Sequence, residues 1–184
     1  LRIIMPLPDT LKAEQPELDE KEWEKVHQTF LDAIRQIDLY RIREGESMYT
    51  DIKTHNSNIA ELLEKIPSFE QQRTERIRSR LRENMKEFTT ENLDENRFEQ
   101  ELIYYLEKLD ISEEKVRLSN HLQYFGETLN EEGPIGKKLG FITQEMGREI
   151  NTLGSKANDH DIQKIIVQMK DELEKIKEQI LNIL

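Results

Sequence analysis

The chain has 184 residues, room for one domain or one domain with a helical appendage but not for two large ones. Its 38 Asp and Glu outnumber 27 Lys and Arg, a formal charge of −11, and the absence of cysteine excludes a disulfide scaffold, a thiolate zinc site and a cysteine nucleophile. The longest apolar runs, such as Ile165-Ile166-Val167, fall far short of a membrane span, so a soluble protein without a membrane partner is expected, and the lack of cysteine fits a reducing cytoplasm. The chain opens on Leu1 in mid-pattern, which reads as a processed or truncated piece of something longer.

Glycine and proline are few, and they cut the sequence into long segments rich in Glu, Lys, Leu and Ile, so helices are predicted throughout. Behind Asp19, Glu20 and Glu22, the residues Trp23, Val26, Phe30, Ala33, Ile37 and Tyr40 recur at alternating spacings of three and four, which predicts an amphipathic helix. It continues through Ile52, Ile59, Leu62, Leu63 and Ile66, either as one rod or broken near Gly45 or His55. Pro67 opens the next helix, carrying Phe69, Ile77, Leu81 and Met85, and Thr89-Thr90 reads as a turn.

Asp94 is expected to start a helix through Phe98, Leu102 and Leu106 that ends near Asp110, where Ser112 looks like the N-cap of its successor. Val116, Leu118, Leu122, Phe125 and Leu129 follow, up to a stop at Gly133-Pro134. Ile135, Leu139, Ile142, Met146, Ile150 and Leu153 define a further helix ending at Gly154. Asn158 or Asp159 caps the last helix, in which Ile162, Ile166, Met169, Leu173, Ile176, Ile180 and Ile183 keep the 3.5-residue period of a packed seam. The expected fold is all-α, with long antiparallel helical hairpins and coiled-coil-like packing. Two parts are expected: a helical segment over 1–90 with a basic helix, and a C-terminal helical domain over 91–184.

Stock catalytic signatures are missing. Gly133-Pro134-Ile135-Gly136-Lys137-Lys138 resembles the end of a phosphate-binding loop, but Glu131 stands where the first glycine belongs and Lys138 where Ser or Thr belongs. What remains is polar. Glu113, Arg117 and His121 line one face of a helix, and Glu145, Arg148, Glu149 and Thr152 line a face of the next. A short turn joins the two helices, so the faces can meet as antiparallel neighbours. Carboxylates and one imidazole suit Mn²⁺ or Mg²⁺, and an arginine can neutralise charge growing on a phosphate. Solvated intrahelical pairs would give the same spacing. The basic run Arg73, Arg76, Arg78, Arg80, Arg82 and Lys86 faces only Glu75 and Glu83, and arginine forks suit phosphate, although an exposed charged face explains the run equally well. His160 in Asn158-Asp159-His160-Asp161 is more economically a capping segment than a metal site.

The stretch Gly-Lys-Lys-Leu-Gly-Phe-Ile-Thr-Gln-Glu-Met-Gly-Arg-Glu-Ile-Asn-Thr-Leu-Gly-Ser-Lys-Ala-Asn-Asp from Gly136 resembles the hallmark of the YicC/YloC-type bacterial endoribonucleases. The resemblance extends through Glu172 to Ile180, back through Arg97 to Glu101 and Glu113 to His121, and more weakly to Arg41, Glu44 and Gly45. It implies a stress-associated endoribonuclease acting on structured RNA, hairpin-containing small regulatory or messenger RNA, helped by a divalent metal. It also implies a homo-oligomer, a trimer-based hexamer with RNA in a central channel. The family's polar signature falls on Gln100, Glu101, Glu113, Arg117, His121, Lys137, Gln144, Glu145, Arg148, Glu149, Asn151, Ser155 and Lys156.

From rows and resemblance together, the expected catalytic residues are His121, Glu145, Glu149, Arg117 and Arg148, and the expected ligands of Mn²⁺ or Mg²⁺ are Glu113, His121, Glu145 and Glu149. Arg73, Arg76, Arg80, Lys137, Lys138, Gln144, Asn151, Ser155 and Lys156 are expected to bind RNA. Gly140 and Gly147 stand where the family tends to have Asp and Asn, and the family's usual strand-containing N-terminal domain has no counterpart here. The rival reading is a non-catalytic helical oligomerisation or adaptor module, with the seam from Ile162 to Ile183 driving assembly.

Overall fold

A computed structural model describes residues 19–88 and 95–183. These residues form six helices and no strand: α1 (Glu20–Lys65), α2 (Pro67–Phe88), α3 (Glu95–Lys108), α4 (Ser112–Thr128), α5 (Gly136–Ala157) and α6 (His160–Ile180). The all-α expectation holds. The turn at Thr89-Thr90, the start at Asp94 and the Lys86 side chain lie outside what is described.

α1 runs unbroken past Gly45 and His55, with Glu20 and Glu22 in its first turn and Lys65 in its last, charges that oppose the helix dipole. The chain divides into two compact units at the Glu46–Ser47 step. The reason is burial. Ile52, Ile59, Leu62, Leu63 and Ile66 belong to one apolar core with Leu118, Phe125, Met146, Ile150, Met169 and Ile176, so the C-terminal half of α1 cannot be parted from α4, α5 and α6. In the other unit, Trp23, Phe30, Ile37 and Tyr40 are exposed.

Within the larger unit, side-chain contacts fix the directions of four helices. Tyr49 reaches Asn130 and Asn56 reaches the Leu122 carbonyl, so α1 and α4 run antiparallel. Lys156 pairs with Glu114, and Arg117 lies 4.0 Å from Glu149, so α4 and α5 run antiparallel. Gly154 against Ile166 and Gly136 against Ile183 set α6 antiparallel to α5. The result is a four-helix bundle of alternating direction. Each fully buried Ile, Leu or Phe contributes about 1.5–3 kcal/mol by leaving water.

Local signals explain the helix ends. Asp159 caps α6 by accepting from the amides of Asp161 and Ile162. α5 does not end at Gly154 as expected. It runs to Ala157 and closes on Asn158 in the left-handed region, φ 42°. Gly154 serves interhelical contact instead, because a Cβ there would lie 3.1 Å from Ile166 Cγ2. Ser112 is likewise the first helical residue of α4 and not its cap, its hydroxyl and amide both donating to Asp110 Oδ1. Those bonds, the hydroxyl's foremost, hold the Asp110 carboxyl below its usual range.

Candidate functional site

The antiparallel register of α4 and α5 brings the two predicted polar rows together. Arg117 is central: it pairs with Glu113 on its own helix and lies 4.0 Å from Glu149 across the interface. Arg148, 71% exposed, pairs with Glu145 at 2.5 Å. The pairing of Glu114 with Lys156 and of Arg117 with Glu149 sets His121 level with Glu145. His121 is half-buried and has no ion pair or hydrogen bond among the described residues. The four expected metal ligands do not form a ligand set. Glu113 and Glu145 are each held by an arginine of their own helix, and among the described residues no group of three or more His, Asp or Glu could hold an ion.

The exposed face of α5 carries Gln144, Arg148, Asn151 and Ser155, with Lys137 at its start. Phe141 lies on the same stripe, 58% exposed, an aromatic that periodicity alone assigns to no face. Lys138 is paired in the single chain. Its ammonium donates to both Glu131 oxygens at 2.6 and 2.8 Å and sits 5.0 Å from the centre of the Tyr124 ring, and the Glu131 bond raises its pKa. Lys156 pairs with Glu114 at 2.7 Å, a carboxylate only 5% exposed, and that bond raises the lysine's pKa. Glu114 Oε2 is buried without a partner.

The basic helix splits into different environments. Arg73 is 7% exposed, and its Nη2 donates to the carbonyls of Leu109 at 2.5 Å and Lys156 at 3.0 Å. It therefore holds α2 against the end of the bundle and is not the exposed phosphate ligand expected. Burial pulls its pKa down, against the opposing carboxylates of Glu70, Asp159 and Asp110. Arg76 donates to Asp159 at 2.5 Å, while Arg78 and Arg82 pair with Glu99 and Glu95 of α3. Arg80 has no ion pair among the described residues and faces a cavity of about 540 Å³, walled by α2, the end of α3 and the turn between α5 and α6. Lys108, Tyr105 and His160 complete that wall. Lys108 and Tyr105 carry no signal in the sequence, because they share no helix with the basic run, and His160 reads there as part of a cap.

Residues 66–184 match the family described as "Endoribonuclease YicC-like, C-terminal". The chain belongs to the YicC-like endoribonuclease family. It is 36% identical over 179 residues to the "Probable endoribonuclease YicC" of Clostridioides difficile (strain 630), covering 96% of this chain and 61% of that protein. It is 32% identical over 184 residues to the protein of the same name from Haemophilus influenzae (strain ATCC 51907 / DSM 11121 / KW20 / Rd), covering 98% of this chain and 62% of that one. The chain thus spans about six tenths of the length of these YicC relatives. The YicC-like match begins just after α1 and takes in the basic helix, both polar rows and the cavity. No helix among the described residues is long and apolar enough to cross a membrane.

Proposed function

We propose that this chain works in an endoribonuclease that cleaves structured RNA in the cytoplasm, in a stress-related role, with the α4–α5 face as its reaction site. The observation that carries this reading is His121, unpartnered and half-buried, on the face where Arg117 and Arg148 lie among three carboxylates. Two chemistries are open to such a face: metal-assisted hydrolysis, and attack by the RNA's own 2′-hydroxyl. We develop the second, because the His121 imidazole has no ion pair or hydrogen bond among the described residues and is open to take a proton. His121 takes the 2′-hydroxyl proton, the oxygen attacks the adjacent phosphorus, and the 5′-oxygen leaves with a proton from water. Arg117 and Arg148 exchange their carboxylates for the phosphate and neutralise the added charge. The products are a 2′,3′-cyclic phosphate and a 5′-hydroxyl. In the metal-assisted alternative, Glu113, His121, Glu145 and Glu149 would hold Mn²⁺ or Mg²⁺, which would acidify a water.

Self-assembly, as a trimer-based hexamer, belongs to the same proposal. It is supported by the exposed run Trp23, Val26, Phe30, Ile37 and Tyr40, whose spacing suits a helical partner. Assembly would also let a chain of charge −11 hold RNA locally, against its average field. The test is cleavage of a labelled hairpin RNA by this chain and by a full-length YicC-like protein, each with Mn²⁺, with Mg²⁺ and with chelator. Cleavage in chelator with a cyclic phosphate end supports His121 as base. Cleavage abolished by chelator moves the chemistry to a metal, and an oligomer that neither binds nor cuts RNA favours the adaptor module.

A further inference from the structure

The cavity beside α2 combines three features that a solvated charged face does not share. Its floor is apolar, made by Ile77, Leu81 and Leu109. One wall is aromatic: Tyr105, 41% exposed, stands edge-on to Tyr104 with ring centroids 6.0 Å apart. Its rim carries two cations, Arg80 and Lys108, with no ion pair among the described residues. The one carboxylate in the lining is already engaged, since Asp159 gives Oδ1 to the α6 amides and Oδ2 to Arg76. The electrostatics left over are therefore positive, in a concavity of about 540 Å³, within the usual span of about 300–1,000 Å³ for small-ligand sites.

An apolar floor, an exposed ring and two free cations match the parts of a nucleotide: a base to stack and a phosphate to neutralise. We propose that this cavity binds one nucleoside monophosphate unit, its phosphate between Arg80 and Lys108 and its base against Tyr105. Asn84 and Asn158 supply amides at the edge for the base or sugar. The unit can belong to an RNA strand or be a free nucleotide. The strand form rests on the RNA reading above, and Lys156 links the two places: its carbonyl accepts from Arg73 in the cavity wall while its ammonium pairs with Glu114 of α4.

The test is an amide-resolved NMR titration of this chain with adenosine monophosphate, adenosine, inorganic phosphate and a short single-stranded oligoadenylate, alongside hairpin cleavage. Arg80→Ala, Lys108→Ala and Tyr105→Ala are compared with Lys170→Ala, an exposed site on α6. The expected result is saturable shifts at Asn84, Lys108 and Asn158 with adenosine monophosphate, at least tenfold weaker with adenosine or phosphate alone. Each cavity variant should weaken binding at least fivefold and Lys170→Ala should not. The same shifts with the oligoadenylate identify a strand subsite, and their appearance with the mononucleotide alone identifies a free-nucleotide site. The proposal is overturned if adenosine monophosphate shifts none of these amides, if the variants bind unchanged, or if an acidic peptide displaces the nucleotide at equal concentration. Unchanged cleavage of RNA alongside such a result leaves the RNA reading standing without the cavity, and cavity binding without any RNA cleavage does the reverse.

Discussion

Arg73 of α2 donates from Nη2 to the carbonyl of Lys156 in the last turn of α5, 3.0 Å away, and to the Leu109 carbonyl at 2.5 Å. One buried guanidinium thus ties α2, the end of α3 and the end of α5 together where helix-terminal carbonyls lack partners of their own. A lysine has a shorter reach and a differently placed nitrogen, so it does not meet both carbonyls without a shift of α2. Arg73→Lys and Arg73→Met should each lower unfolding free energy by about 2–4 kcal/mol, read from urea denaturation. Arg80→Ala, on the same helix but exposed, should stay within about 0.5 kcal/mol of the parent. Equal effects of the two would show that Arg73 is no clamp.

Acid should weaken the bundle through Glu172. Burial by itself would raise its pKa, but hydrogen bonds from Asn58, His55 and Lys175 outweigh that and draw it from 4.5 to about 2. His55 Nδ1 carries the proton in its 2.8 Å bond, since an ionised carboxylate only accepts. A folded value below the unfolded one means the contribution is complete above about pH 4.5 and is lost as pH falls toward about 2. It amounts to at most about 3 kcal/mol. Stability measured from pH 7 to pH 2.5 should show this acid limb in the parent and a flatter one in Glu172→Gln.

Two glycines of α5 should respond with opposite signs. A Cβ at Gly140 meets nothing within 4 Å, so Gly140→Ala should stabilise by about 0.5–1 kcal/mol through helix propensity. At Gly154 the new methyl would sit 3.1 Å from Ile166 Cγ2, and Gly154→Ala should cost about 1–3 kcal/mol. Thermal melts of both variants decide.

His121→Ala should reduce hairpin cleavage by about 10²- to 10⁴-fold with folding intact, the range for a lost general base. Single-turnover rates and the chemistry of the product ends check this. Glu145→Gln distinguishes the metal alternative: undiminished cleavage removes Glu145 as a ligand, whereas loss that added Mn²⁺ restores would reinstate it.

Phe30→Glu combined with Ile37→Glu should lower the self-association measured by light scattering, with helix content in circular dichroism unchanged. Both residues are exposed in the single chain, so the substitutions disturb no intrachain core.

Helix faces could be read from the residues alone, because burial of one stripe imposes a 3.5–3.6-residue period that survives in the string of side chains. Ile162, Ile166, Met169, Leu173 and Ile176 were visible as a seam and are all buried. The polar rows on α4 and α5 were visible for the same reason, and their meeting followed from a short connection. Gly154 misled because glycine marks both helix ends and close helix contacts, and sequence cannot tell the two apart. The six positions of the basic run are alike as a string.

Position along the chain thus settled which face of each helix turns inward, the polar residues available for a site and the family to which they belong. Only the tertiary structure decided that Arg73 is spent on carbonyls, that Arg76 is neutralised by Asp159, and that Arg80 is left beside Lys108 and Tyr105. The physical reason is that periodicity encodes a helix's own orientation toward a core. The partner of each polar group depends on the register between segments far apart in sequence, which no single segment contains.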